Sequence, residues 1–277
     1  MATVQELLHA GSDLSTDSPR RDAEILLGYC LEKDRTWLYT WPEKEVSAQH
    51  AAKFEHLLEQ RREGVPVAYL IGEREFWSLS LSVNPATLIP RPETETLVTW
   101  ALELELPAAA AVLDLGTGSG AIALALASER LPWQLVAVDS SAEALEIACA
   151  NALAMGLPQV TFKQSDWYQG LAGERFDLLL ANPPYIDADD PHLSQGDLRF
   201  EPRSALVAQD NGLGDLIHLV EGAPGHLAKG GWLLLEHGYE QGSAVRAMLS
   251  VAGFTAVGTR LDMAGQERIT GGRWHAE

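Results

Sequence analysis

Hydrophobic positions recur at two different periods along this chain, and the change of period divides it. Up to Pro66 the period is helical. Val4, Leu7 and Leu8 share one face. Ala23, Leu26, Leu27, Cys30 and Leu31 recur at three and four, with Ser18 as the expected N-cap and Pro19 at the first helical position. Ser47 opens another helix with Ala51, Phe54, Leu57 and Leu58 inward, and Gly64 and Pro66 end it. These short amphipathic helices predict a small bundle. At Phe76 the pattern changes: Leu79, Leu81 and Val83 alternate with Ser78, Ser80 and Ser82, which is a half-buried strand. Pro85, Pro90 and Pro92 punctuate the connection that follows. Strands and helices then alternate. Residues 112–115, 135–138, 160–162, 176–181 and 232–235 read as strands, and 120–128, 142–155, 213–227 and 241–252 as helices. The alternation predicts a parallel sheet covered on both faces. Ligands of such sheets bind beyond the carboxyl ends of the strands, so chemistry is sought there.

Composition narrows the class. Of the 277 residues 46% are hydrophobic and 21% charged, a globular balance with core enough for one large domain or two unequal ones. Cys30 and Cys149 lie far apart without metal-site spacing, so neither a disulfide framework nor a structural zinc is expected. The eight histidines form no ligand cluster, and no metal is expected. The N-terminus carries Glu6 and Asp13 and lacks the apolar segment of a signal peptide. No apolar run is long enough to span a bilayer, so a cytoplasmic protein without a membrane partner is expected. The formal net charge of −19 weighs against a protein whose main business is holding nucleic acid, because phosphate neutralisation supplies most non-specific affinity. A local basic patch can coexist with a negative total.

Two motifs carry chemistry. The first strand of the alternating region ends in Asp114-Leu115-Gly116-Thr117-Gly118-Ser119-Gly120 and runs into a helix. Its glycines permit a tight turn and close approach of a ligand. The spacing is G-x-G-x-G, without the third glycine at dinucleotide distance. Asp139 ends the next strand, where a carboxylate meets ribose hydroxyls in such folds. Loop and carboxylate together favour an adenosine-type ligand, with S-adenosylmethionine the natural candidate; an acidic strand end that merely caps a helix is the bland alternative. The second motif, Asn182-Pro183-Pro184-Tyr185, follows an apolar strand directly. The prolines remove backbone donors and leave the carbonyls of Asn182 and Pro183 to accept bonds from something else. With the Asn182 amide oxygen, these acceptors can grip a planar NH2 group, and Tyr185 supplies a ring to pack on a flat substrate. Trp167 either shelves an adenine or fills the core, and Asp166 either bonds an adenine amine or caps a turn. Asp187, Asp189 and Asp190 form a solvated acidic loop that can also attract a basic partner.

An Asn-Pro-Pro-Tyr motif on a glycine-rich Rossmann-like sheet resembles the class I methyltransferases that modify planar nitrogen. Nearly the whole chain is similar to the release factor glutamine methyltransferases, the PrmC or HemK family. The likeness rests on the helical N-terminal part, Arg74-Glu75-Phe76-Trp77, the run from Leu88 to Glu95 (Leu-Ile-Pro-Arg-Pro-Glu-Thr-Glu), the Asp114–Gly120 loop, Asn182–Tyr185 and Arg199-Phe200-Glu201-Pro202. The sister family that acts on a ribosomal protein differs at residues 90–95. The resemblance implies an α/β fold: a class I methyltransferase domain with a seven-stranded, mostly parallel sheet over residues 92–277. A helical substrate-docking domain over 1–75 and a β-hairpin linker over 76–91 precede it. It implies S-adenosylmethionine contacts at Gly116, Thr117, Gly118, Ser119, Gly120, Asp139, Trp167 and Asn182. Asn182, Pro183, Pro184 and Tyr185 would hold the substrate, with Asn182, Pro183 and Tyr185 in the catalytic role. The implied reaction is N5-methylation of the glutamine in the Gly-Gly-Gln motif of bacterial class I peptide chain release factors, by a monomer without direct nucleic-acid contact. The alternatives are an exocyclic amine of a nucleic acid base, a ribosomal protein glutamine, and a non-catalytic protein-binding module that keeps the fold. The intact loop, Asp139 and Asn182 speak against the last.

Overall fold

The computed structural model describes residues 2–275 and divides into two units, Met1–Glu73 with Pro191–Phe200, and Arg74–Asp190 with Glu201–Glu277. Among the described residues no helix is long and apolar enough to cross a membrane.

The first unit is the expected helical bundle: α1 (Val4–Ala10), α2 (Pro19–Leu31), α3 (Arg35–Thr40), α4 (Ala48–Arg62) and α5 (Val67–Ile71). Val4, Leu26, Leu27, Leu38, Phe54 and Leu58 fill its core. Ser47 caps α4 by accepting from the His50 amide at 3.3 Å. Ser18 precedes α2 but its side chain makes no cap bond; its ψ of 61° departs from the extended conformation that aims a capping oxygen at the helix. The helices α3 and α5 have only six and five residues, too few for periodicity to show. Buried Arg61 binds Asp22 at 2.8 Å and Asp197 at 2.7 Å, which gathers the 191–200 segment into this unit.

The second unit begins within β1 (Glu73–Phe76), which forms a hairpin with β2 (Leu79–Ser82). Trp77 and Ser78 at its turn both have positive φ, 52° and 60°, as the right-handed twist of a two-residue hairpin requires. After α6 (Glu95–Glu103) come β3 (Ala111–Leu115), α7 (Ala121–Glu129), β4 (Gln134–Asp139), α8 (Ala142–Ala154), β5 (Thr161–Gln164) and β6 (Phe176–Ala181). The short pair β7 (Ile186–Asp187) and β8 (Val207–Ala208), the one-turn α9 (Gln209–Gly212) and α10 (Gly214–Gly222) follow. The chain ends in β9 (Leu227–Glu236), α11 (Gly242–Val251), β10 (Thr255–Leu261) and β11 (Glu267–Arg273). The expected helix over 213–227 stops at Gly222 because Pro224 and Gly225 break it, and β9 takes over at Leu227.

The sheet has seven strands in the order β10-β11-β9-β6-β3-β4-β5. Strands β9, β6, β3, β4 and β5 are parallel; β11 joins β9 antiparallel and pairs with β10 at the edge. Successive leucines of β6 go to opposite cores. Leu178 and Leu180 meet α6 and α7, while Leu179 meets α10 and α11. Both faces are covered, which is why these strands read as continuous apolar runs. The winding reverses between β3 and β6, the place where such folds open a crevice.

Candidate active site

Strand register decides which residues meet. Leu115 pairs with Val138 on one side and Ala181 on the other, Ala181 pairs with Leu235, and Asp139 with Gln164. Gly116, Asp139, Ser165, Asn182 and Glu236 therefore emerge in one row at the carboxyl ends of five strands. The 116–120 loop is bound down onto this row. The amides of Gly116 and Thr117 both donate to the Val138 carbonyl at 2.9 Å. Asp139 accepts from the Gly118 amide through Oδ2 and from the Ser141 amide through Oδ1, each at 2.9 Å. Each of its oxygens keeps a further lone pair for a ligand. Gly116 and Gly118 have φ of 75° and 56°, and a Cβ on Gly116 would stand 3.3 Å from the Trp167 ring. Glycine is thus demanded there by backbone and by neighbour. Asp114 lies buried under the loop. Its Oδ2 accepts from Thr117 Oγ1 at 2.7 Å and the Ala123 amide at 3.3 Å, while Oδ1 has no partner. Burial pushes this carboxyl up to about 7, against the pull of those two bonds.

These ends line a cleft that is partly open to solvent. Of the expected contacts, Gly116, Gly118, Asp139, Trp167, Asn182 and Pro184 line it. Thr117 and Ser119 are buried behind it, and Gly120 serves as the left-handed start of α7. Pro183 and Tyr185 are outside its lining. Trp167 is half-buried with φ 48° and lines the cleft together with Asp215, whose carboxyl burial raises. So Trp167 is a wall of the cleft, with its ring packed beside the core. Asp166 also faces the cleft and accepts from Gln169 Nε2 at 2.9 Å. Asp139, Asp166 and Asp215 line the cleft, with no Lys or Arg among the described lining residues.

One side of the cleft is made by residues 86–88 and by Pro202, Ser204 and Ala205. Glu201, fully buried, ties the two stretches together: Oε2 accepts from the Ile89 amide at 3.0 Å and Oε1 pairs with Arg91. Beside them, Asn182 donates through Nδ2 to Thr94 Oγ1 at 3.3 Å. The Tyr185 hydroxyl donates to Glu236 Oε1 at 3.4 Å, and the Tyr185 carbonyl accepts from Gln241 Nε2 at 3.0 Å. Burial holds the Tyr185 hydroxyl well above its ordinary pKa. Thr94, Asp215 and Glu236 are site residues that the pattern reading passed over. Glu236 had one signal, a carboxylate closing the apolar run 232–235 at a strand end.

The family model described as "PrmC N-terminal domain" matches residues 4–72, and "Methyltransferase small domain" matches residues 94–196. A release factor glutamine methyltransferase of Xylella fastidiosa (strain Temecula1) is 55% identical, over 92% of this chain and 93% of its own. The chain belongs to the release factor glutamine methyltransferases. Relatives of the same name from Pseudomonas aeruginosa and Vibrio cholerae are each 50% identical, over 99% and 100% of this chain and 99% and 96% of theirs. A methyltransferase of Pyrococcus furiosus, 18% identical, superposes with a TM-score of 0.55 over 72% of this chain and 90% of its own. That likeness concerns the fold: a Rossmann-like class I methyltransferase domain. As a member of this family the protein is an enzyme, a methyltransferase.

Proposed function

We propose that the enzyme moves a methyl group from S-adenosylmethionine to N5 of the glutamine in the Gly-Gly-Gln motif of class I peptide chain release factors, in the cytoplasm. The observation that carries this reading is the orientation of Asn182. Its Nδ2 is engaged by Thr94, so Oδ1 is the atom left to accept from an NH2 group at the cleft. The relatives' printed names supply the release factor glutamine.

The residues present fit the methyl donor. Asp139 would take the ribose hydroxyls, the open space at Gly118 admits close approach to the backbone, and Trp167 would flank the adenine. Three carboxylates, with no Lys or Arg among the described lining residues, suit a cationic sulfonium and repel a pyrophosphate. When bound, the donor supplies an activated methyl on a positively charged sulfur.

The chain's own work is positioning and charge. An amide nitrogen is a weak nucleophile because its lone pair is delocalised into the carbonyl. Acceptance of its two N–H bonds by Asn182 Oδ1 and the Pro183 carbonyl turns the NH2 group and favours the positive charge that develops on nitrogen. Orientation towards the methyl supplies the remaining advantage. The proton leaves to water, and the helical unit docks the protein substrate to one enzyme chain. Mass spectrometry of a release factor incubated with enzyme and donor should show a single added methyl on that glutamine. An unmodified glutamine, with label elsewhere, would overturn the proposal.

A further inference from the structure

We propose that Asn151 is a positioning residue for the methyl donor: one buried amide on α8 holds both the glycine loop and the start of the 83–88 segment, and so fixes two walls of the cleft against each other. This rests on the reading of the cleft as the S-adenosylmethionine site. Asn151 is not among the lining residues; it acts through Ser119 and Ser82.

The side-chain amide is used at both ends. Asn151 is 1% exposed, and its Oδ1 accepts from the Ser82 amide at 2.8 Å. Nδ2 donates to the Ser82 carbonyl at 3.0 Å and to the Ser119 carbonyl at 2.9 Å. Both N–H groups are committed to carbonyls and the oxygen to an amide, so the side chain has a single orientation. Towards Ser82 it exchanges an N–H and a C=O as a peptide of a neighbouring strand would, which carries the pairing of the hairpin onto α8. Asparagine is a weak helix former, and a buried amide is costly unless bonded. These three bonds account for it on a helix face that otherwise presents Ala144, Ala148 and Ala152.

On the loop side, the Ser119 carbonyl depends on this bond. The helix α7 starts at Gly120 with φ of 87°. The Ala123 amide, which in a regular helix would close on residue 119, donates instead to Asp114 Oδ2 at 3.3 Å. Asn151 supplies the donor that the helix does not. Small residues let α8 come close enough: a Cβ on Gly120 would stand 3.3 Å from the Ala148 Cβ, and Ala144 lines the cleft itself. The amides of Gly116, Thr117 and Gly118 are bonded to Val138 and Asp139, which seats the loop on β4. Asn151 sets it against the hairpin.

The hairpin side passes the constraint to a second wall. Just after Ser82 the chain turns tightly: Asn84 Oδ1 accepts from the Ala86 amide at 2.9 Å and its carbonyl from the Thr87 amide at 3.0 Å. Ala86, Thr87 and Leu88 line the cleft, as Gly116 and Gly118 do on the loop. Glu201 holds the far end of this segment through the Ile89 amide at 3.0 Å. The segment is thus pinned at residue 89 by a carboxylate and at residue 82 by the amide that also pins the loop. Without Asn151 the two walls lose their common anchor, and the methyl donor must order them as it binds.

The test uses the full chain. Calorimetric Kd for S-adenosylmethionine, kcat and KM with a release factor, and thermal melts are measured for the wild type, Asn151→Ala, Asn151→Asp and Val160→Ala. Val160 is buried before β5, at the end of the sheet away from the cleft, so its truncation destabilises the core without touching a wall. Asn151→Ala should raise Kd by about tenfold, since affinity falls with the fraction of molecules whose walls stand in the binding arrangement. Asn151→Asp keeps the acceptor for the Ser82 amide but has no N–H for either carbonyl, and should raise Kd at least as much. In both, kcat at saturating methyl donor and the release factor KM should stay within about threefold. Val160→Ala should melt earlier and keep its Kd. In the wild type, saturating S-adenosylmethionine should slow hydrogen exchange of the Ser82 amide, although Ser82 does not line the cleft; this measurement decides alone if the Asn151 variants do not fold. An unchanged Kd in Asn151→Ala, a Kd raised equally in Val160→Ala, or exchange at Ser82 that ignores the methyl donor would each overturn the inference and leave the reading of the cleft intact. A wild type that does not bind S-adenosylmethionine overturns that reading, and the inference with it.

Discussion

Asn182 follows β6 and Asp139 ends β4, one on each side of β3, and substitution should separate their contributions. Asn182→Ala removes an acceptor whose value grows as charge develops on the substrate nitrogen. By analogy with single oxyanion-hole donors it should lower single-turnover methylation by about 10²–10³. Calorimetric affinity for S-adenosylmethionine should fall much less; near wild-type turnover would remove Asn182 from the chemistry. Asp139→Ala should do the reverse. It removes a charged acceptor for the ribose, at roughly 1.5–3 kcal/mol per charge-assisted bond, and frees the Gly118 and Ser141 amides that Asp139 now fixes. Donor Kd should rise by at least about tenfold, with smaller change in turnover at saturation. An unchanged Kd would place the ribose elsewhere. Both residues were legible in the sequence because each follows an apolar strand within a short motif. Thr94, Asp215 and Glu236 were not. Asp215 comes to the cleft from the start of α10, while Thr94 meets Asn182 from the turn before α6 and Glu236 meets Tyr185 from the end of β9, which only the tertiary register brings about.

Elements were legible where their signal is local. The parallel strands announce themselves as apolar runs, and α4 by its serine cap and inward face. The final hairpin was not read, because β10 is mostly half-exposed and β11 carries Thr270-Gly271-Gly272 before its last residue, so neither shows strict alternation. Its glycines have a packing reason: a Cβ at Gly271 would stand 2.3 Å from Leu234 of β9. The runs 88–95 and 199–202 could be quoted from the sequence, yet their junction could not. Glu201, fully buried, joins them through Arg91 and the Ile89 amide. Glu201→Ala would leave Arg91 without its partner and the Ile89 amide unbonded. Breaking such a pair costs about 3–5 kcal/mol when fully buried; with Arg91 30% exposed the loss should fall towards about 2–3 kcal/mol. Urea unfolding reads that cost directly. Donor KM should rise as well, since residues 86–88 and 202–205 both border the cleft. A variant as stable as the wild type would show the junction to be incidental.

Across the whole molecule, buried titratable groups pull stability in opposite directions with pH. Asp114, raised to about 7, contributes stability that is fully present below its unfolded value near 4 and lost as pH climbs through 7. His226 and His237 are lowered by burial, so their share is lost as pH falls below the unfolded value of 6.5. The net slope mixes these, whereas Asp114→Asn removes one part. Between about pH 5 and 8 the urea midpoint of the wild type should fall more than that of Asp114→Asn; parallel curves would show Asp114 to titrate normally. Charge on the same scale separates a protein substrate from a nucleic acid. The chain carries −19, and three of its aspartates line the cleft with no lining cation among the described residues, so a polyanion is repelled both at long range and at the site. Asn182 alone does not discriminate, because base amines and glutamine amides are both planar NH2 groups. A transfer assay with radiolabelled methyl donor tests charge and motif together. Label should enter a release factor carrying Gly-Gly-Gln, be absent when that glutamine is alanine, and be absent from duplex DNA and ribosomal RNA. The rate on the release factor should also vary weakly with salt. An enzyme gripping six to ten phosphates would lose about 10³–10⁵ in affinity between 50 and 200 mM salt. Label in nucleic acid, with that steep salt dependence and none in the release factor, would transfer the same acceptor pocket to a base amine.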